Sequence, residues 1–300
     1  MRNMGNVVYH YCSMETFKAI IENKTIRFQD VMKSNDSMEL RMIIPYIDEA
    51  FERAITKRSN YLSKKYDSKD MAQIYSSMKN AFFYSGLEGE NKLCNFFVSC
   101  YSFSADSLGQ WRGYADDGKG VSIGFDKRQL DLLTQHDEES SFIRIHSGKV
   151  MYKVNEQKSC IDGIMEKLSE DLVNYDTAQR DNAYIRKLFF NAFVELYMIA
   201  IKSKSAFFKE ENEWRMFFYY PSDSLDMRVL TDGSKLYEFD VKYISRSDEL
   251  ISAVDMTFKP DLIRSVILGP KNNSDTCDVN NYLKSNGFYC KVLKSSGSYR

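Results

Sequence analysis

Alternating apolar and polar positions mark both ends of the chain, and helical spacing marks its middle. Val7–Cys12 reads as a strand, with His10 and Cys12 on one face and Tyr9 and Tyr11 on the other. Ser13 then offers an N-cap to a helix that turns Met14, Phe17, Ala19, Ile20 and Ile21 inward. Asn23 and Lys24 end that helix, and residues 25–28 form a second short strand. A polar turn at 34–39 opens helical patterns that run to about residue 62, interrupted near Pro45, and again over 69–84.

Residues 95–103 predict an apolar strand, followed by a short helix over 105–115 with Leu108, Trp111 and Tyr114 in one stripe. A glycine turn at 116–120 leads into the strand Val121–Asp126; no phosphate-binding fingerprint is present there. An extended pair over 141–154 precedes two long helices that fill 156–203. Later strands fall near 211–220, 227–230, 236–241, 250–256 and 264–270. A helix over 275–285 and a strand over 289–293 complete the pattern. Strands at both ends with helices between them predict one α+β domain over 1–300, with helical insertions at about 37–90 and 155–204.

Composition narrows the picture. Of 300 residues 43% are hydrophobic, with 20 Phe and 20 Tyr, enough for a substantial core. Lys and Arg (41) nearly balance Asp and Glu (42), so no global charge draws the chain to nucleic acid or a membrane. Six cysteines contain no CxxC pair, the N-terminus shows no apolar leader, and residues 188–201 are too short to span a bilayer. The expectation is a cytoplasmic protein without a membrane partner. With only three histidines, no metal centre is expected.

The stretch 204–220 holds the densest candidate chemistry. Read as a strand from Glu211, it places Glu211, Glu213 and Arg215 on one face, with Asn212, Trp214 and Met216 on the other. Two carboxylates on one face repel unless something neutralises or uses them. The plainer reading pairs them with Arg215 and Lys209 as edge charges. The chemical reading gives them the work of N-glycosidic cleavage, which passes through an oxocarbenium ion that a carboxylate stabilises. No Gly-x-Ser-x-Gly elbow supports Ser99 or Ser102 as a nucleophile, and Cys100 has no marked base. Trp111 and Tyr114 could stack on a flat ring or simply fill the core.

Several pieces together resemble the bacterial family known as domain of unknown function 2971. They are Tyr9-His10-Tyr11, Ile26-Arg27-Phe28, Asn35-Asp36 with Glu39, and Cys100-Tyr101-Ser102. Trp111 with Tyr114-Ala115, the run 120–125, Lys204, Phe208, Glu211, Glu213, Arg215 and the run 267–270 continue the pattern along nearly the whole chain. Ser37 departs from the family's usual proline, and Cys12 from its common threonine. His10, the run Ile20-Ile21 to Arg27, a Ser-bearing strand and the Glu-x-Glu strand also resemble the ADP-ribosyltransferase superfamily.

That resemblance implies a split antiparallel β-sheet core with NAD bound, as substrate, in the cleft between its halves. Under it, Glu213 is catalytic and holds the nicotinamide ribose, while Glu211 orients the acceptor. His10 contacts the adenosine ribose, Tyr101 or Ser102 lines the nicotinamide pocket and Tyr114 stacks on the ring. Arg27, Lys204 and Arg215 hold pyrophosphate or fix the glutamates. The implied activity is transfer of ADP-ribose to a protein or nucleic acid, as a bacterial toxin or anti-phage effector with a possible antitoxin or regulatory partner. The alternatives are a non-catalytic ligand- or partner-binding module and an NAD glycohydrolase.

Overall fold

The computed structural model describes residues 6–33, 39–84, 94–133, 145–175, 182–221, 241–246 and 249–297. In chain order the first elements are β1 (Val7–Cys12), α1 (Met14–Asn23), β2 (Thr25–Asp30), α2 (Ile44–Lys57), α3 (Ser59–Leu62) and α4 (Ser68–Phe83). There follow β3 (Cys94–Ser102), α5 (Leu108–Tyr114), β4 (Val121–Asp126), α6 (Lys127–Leu132), β5 (His146–Lys149), α7 (Val154–Asn174) and α8 (Asn182–Ile201). The last are β6 (Glu213–Pro221), β7 (Val241–Arg246), β8 (Glu249–Thr257), β9 (Ile263–Leu268), α9 (Thr276–Ser285) and β10 (Lys291–Lys294).

The architecture is α+β, as expected, around a single sheet. Its strands run in the order β10-β9-β4-β1-β3-β2-β8-β7, with β6 laid along β3 and β5 along β6. The sheet is mixed, correcting the all-antiparallel expectation, because β10 pairs parallel to β9 after the α9 crossover.

Each face of the sheet carries its own core. Trp214, Met216 and Phe218 of β6 join one cluster with Phe17 and Ile21 of α1 and Leu283 of α9. Phe217 and Tyr219, one residue out of phase, join the other cluster with α2, α4, α7 and α8. The two helical segments, far apart in sequence, therefore form one layer on one face. Ion pairs lace it: Arg53 to Asp162 at 2.5 Å, Arg58 to Glu166 at 2.6 Å and to Glu170 at 2.7 Å.

Local expectations hold where a cap or turn fixes them. Ser13 Oγ accepts from the Thr16 N–H at 3.2 Å, and Lys24 ends α1 with φ 54°. Ala19, expected inward, is exposed, leaving Phe17, Ile20 and Ile21 as the buried stripe. Pro45 opens α2 rather than interrupting a helix, since its missing N–H costs nothing in the first turn. The helix expected over 105–115 shrinks to α5, and of its stripe only Trp111 is buried, because three-residue steps drift around a 3.6-residue turn.

The strand expected from Glu211 starts at Glu213: residues 206–211 form a 3-10 helix capped by Ser205, and Asn212 takes φ 47° between the two. The polar turn at 34–38, with Asn35 and Asp36, the start of the 141–154 pair, the strand at 227–230 and all of 236–241 but Val241 lie outside the described residues.

Candidate active site

One edge of β3 is paired with β6 along its length, from Cys94 opposite Pro221 to Ser102 opposite Glu213. Its other edge is shared. β2 takes Phe97 and Val98, and β1 takes Ser102 alone. Between those pairings the sheet opens at Ser99, Cys100 and Tyr101, leaving a cleft of about 390 Å³. His10 on β1, Arg27 on β2, Tyr101 on β3, Gln110 and Tyr114 on α5, and Glu213 at the head of β6 all line it.

Glu213 is buried and held from both sides. Arg215 donates to its Oε2 from Nε at 2.8 Å and from Nη2 at 2.6 Å, and Lys204 Nζ lies 3.2 Å from its Oε1. Lys204 also donates to Glu211 Oε2, so one ammonium bridges the two carboxyls. The Lys204 side chain is 1% exposed and that of Arg215 2%. The cation between the glutamates is thus Lys204, whereas Lys209 is exposed. Glu211 reaches this position from its 3-10 turn, not from a shared strand face. Ser102 Oγ donates to the Glu211 carbonyl at 2.6 Å, and the Phe103 N–H donates to Asn212 O at 2.9 Å, pinning the turn beside β3. Arg215 Nη1 donates to Ile201 O at 2.6 Å, which ties the cluster to the end of α8.

The carboxyls are pushed apart in acidity. Burial raises the Glu211 carboxyl to about 7, with Glu213 adding to the rise and Lys204 opposing it. Burial would raise Glu213 too, but the charges of Arg215 and Lys204 outweigh it and hold the group below the usual carboxylate range. Glu213 is therefore a fixed anion and Glu211 a group that exchanges a proton near neutrality, a division suited to acid–base work. His10 Nδ1 lies 3.1 Å from Cys100 O; a carbonyl only accepts, so Nδ1 carries the proton and Nε2 is left as an acceptor. Burial lowers the imidazole's pKa, which favours its neutral form.

The remaining candidates divide. Tyr114 sits 40% exposed at the rim, its hydroxyl 3.4 Å from Glu211 Oε1. Tyr101 packs against Phe125 and Trp214 and turns its hydroxyl to Ser99 at 3.3 Å, so it is wall and core at once. Ser102 is buried with its hydroxyl committed to the Glu211 turn, and Arg27 is forked onto Asp255 at 2.7 and 2.8 Å, away from the glutamates. Lys204 and Arg215 fix the glutamates; Arg27 does not.

Sequence reasoning missed Gln110. It is 6% exposed, lines the cleft, and its Nε2 has no hydrogen-bond partner among the described residues. Its signal was the four-residue step to Tyr114, which puts both on one face of α5.

Among the described residues no group of His, Cys, Asp and Glu is arranged to hold a metal ion, and no helix is long and apolar enough to cross a membrane.

Fold and site together define an α+β protein whose opened sheet carries a carboxylate pair, Glu213 buried and Glu211 half-buried, clamped by two buried cations. Residues 110–216 match the family model described as "Protein of unknown function (DUF2971)", about a third of the chain. The match takes in Gln110, Tyr114, Lys204, Glu211, Glu213 and Arg215, while His10 and Arg27 precede it. The resemblance seen from Tyr9 to Pro270 is thus matched over its central part. No curated protein and no solved structure matches the chain.

Proposed function

We propose that the protein is an NAD-dependent ADP-ribosyltransferase that modifies a protein or nucleic acid, in the setting of a toxin or defence effector. The observation that supports this reading is the Glu211–Lys204–Glu213–Arg215 cluster at the wall of a cleft opened in the sheet. NAD would lie in the cleft with its nicotinamide end toward Tyr114 and Glu213, and His10 Nε2 would accept from a ribose hydroxyl. The bond between the ribose anomeric carbon and the nicotinamide nitrogen breaks, and its electron pair leaves with neutral nicotinamide. The Glu213 carboxylate stabilises the resulting oxocarbenium ion, and its two cations keep it ionised. A lone pair of the acceptor forms the new bond to the anomeric carbon, and the acceptor's proton passes to Glu211.

The test is incubation with NAD labelled in the ADP-ribose part, alone and with cell extract. Nicotinamide release and a labelled macromolecule are expected, with both lost by about 10²–10³-fold in Glu213→Gln. Release without a labelled acceptor would make the protein an NAD glycohydrolase. Neither signal, with or without extract, would refute the enzyme reading in favour of a binding module.

A further inference from the structure

We infer that Gln157 is a positioning residue for the charged cluster: its buried amide fixes where the Lys204 ammonium stands between Glu211 and Glu213. The inference rests on the geometry of the cluster and holds whichever ligand the cleft takes.

Gln157 lies at the start of α7 and is fully buried. Its Nε2 donates to Met151 O at 2.8 Å and to Lys204 O at 3.2 Å, while its Oε1 has no partner among the described residues. Folded proteins rarely strand a buried acceptor, and each exception asks for a reason. An apolar side chain of similar size would fill the same space without stranding an atom, so packing does not explain an amide here. What the amide adds is its two donated bonds, and one of them ends on the residue that bridges the glutamates.

The two carbonyls belong to a junction that carries the cluster. The Met151 N–H donates to Lys202 O at 2.6 Å, and the Lys204 N–H donates back to Met151 O at 3.1 Å. The same short stretch also holds the head of β6. The Val150 N–H donates to Glu213 O at 3.0 Å, and the Tyr152 hydroxyl accepts from the Glu213 N–H at 2.9 Å. Lys204 and Glu213 therefore both hang from residues 150–152, and Gln157 ties that stretch to the Lys204 main chain.

The Lys204 side chain is packed along its length, so a displaced main chain carries the ammonium with it. Its Nζ sits 3.2 Å from Glu213 Oε1 and 4.8 Å from the centre of the Phe208 ring. At such range, away from water, a move of about 1 Å changes the attraction between charges appreciably. Glu211 reports the change best. It faces Lys204, Glu213 and the hydroxyls of Tyr114 and Tyr152, and of these Lys204 is the cation that opposes the effect of burial on its carboxyl.

The experiment is an NMR titration of the ligand-free full chain, isotope-labelled at its glutamate carboxyl carbons, beside thermal unfolding midpoints. It compares wild type, Glu211→Gln, Gln157→Met, Gln157→Asn and Met165→Ala. Wild type should show a carboxyl that titrates at about 7 and vanishes in Glu211→Gln. Gln157→Met keeps the volume and removes the donors, and Gln157→Asn falls one methylene short of the two carbonyls. Both changes are neutral, so a shift reports a moved ammonium and not a new charge. In either variant Glu211 should titrate higher by about half a pH unit or more. Met165, buried further along α7, is the control: Met165→Ala should lower the unfolding midpoint and leave the Glu211 titration where it was. An unchanged Glu211 titration in a folded Gln157 variant would overturn the inference. So would an equal shift in Met165→Ala, which would make the effect a general loosening. Failure of both Gln157 variants to fold would make Gln157 a residue of the core and overturn it too. A wild type that binds no NAD would remove the transferase reading and leave this result untouched.

Discussion

Replacing Lys204 by Met tests whether one ammonium holds the site together. Lys204 is almost fully buried and bridges Glu211 and Glu213, so its loss leaves two carboxyls to a single remaining cation, Arg215. Met is close in volume and leaves the packing nearly intact, which isolates the charge. Breaking a buried pair by removing one partner costs about 3–5 kcal/mol, because the other charge is stranded. That cost should depend on pH. Both carboxyls lose a cation that lowers them, so their folded values rise; Glu211 already stands near 7 with Lys204 in place. A carboxyl whose folded value exceeds its unfolded one contributes its full stability below the unfolded value, about 4.5, and loses it as pH climbs through the folded value. The deficit of Lys204→Met should therefore be about 1–2 kcal/mol at pH 5 and about 3–5 kcal/mol at pH 8. Urea unfolding at both pH values, with m checked for constancy, measures it. Adding Glu211→Gln should return about 1 kcal/mol or more at pH 8. Equal deficits at the two pH values, or a loss under about 1 kcal/mol at pH 8, would refute the bridging role.

Three further outcomes follow from the structure. In the proposed reaction Glu211 takes the acceptor's proton only when ionised, so transfer should rise with pH through about 7; Glu211→Gln should lower it about 10²-fold or more and flatten that rise. An unchanged inflection in a transfer assay would count against the assignment. A Cβ at Gly120 would overlap the Cys12 carbonyl oxygen and come within 3.0 Å of Ala115 O, both main chain, so Gly120→Ala should cost about 3 kcal/mol. Gly109, with nothing near its virtual Cβ, should gain about 0.5–1 kcal/mol as Ala; a Gly120→Ala midpoint equal to wild type by thermal unfolding would contradict the packing argument.

What could be read from the sequence was local. The Ser13 cap, the α1 stripe apart from Ala19 and the alternation of β6 from Glu213 onward are written in adjacent residues, and they stand as read. The partnership of Glu211, Glu213 and Arg215 was also foreseen, although for the wrong geometric reason. Asn212 held the missing signal, since asparagine tolerates a positive φ and so breaks a strand cheaply. Lys204 was assigned to pyrophosphate or to the glutamates only through the family resemblance; spacing could not place it as the bridge, because its reach depends on a 3-10 turn that no spacing rule specifies. Acidic Asp162, Glu166 and Glu170 on α7 against basic Arg53, Lys57 and Arg58 carried by or next to α2 hinted that the two helical segments meet, but hydrophobic periodicity alone does not pair helices. The orphan amide of Gln110 is a property of its surroundings and has no sequence signature.

The two-sided use of β3 sets apart what is shared as sequence from what folds as a unit. Residues 110–216 hold the carboxylate cluster and the α5 wall, yet β3, against which β6 is zipped, lies before them. So do β1 and β2, which form the opposite lip of the cleft. A fragment cut at those boundaries would expose the bare edge of β6 beside a cluster of four charged side chains, a state prone to pair with another chain. The matched stretch thus holds one half of the cleft and leans on strands that lie before it, and any recombination of this protein has to move those strands as well.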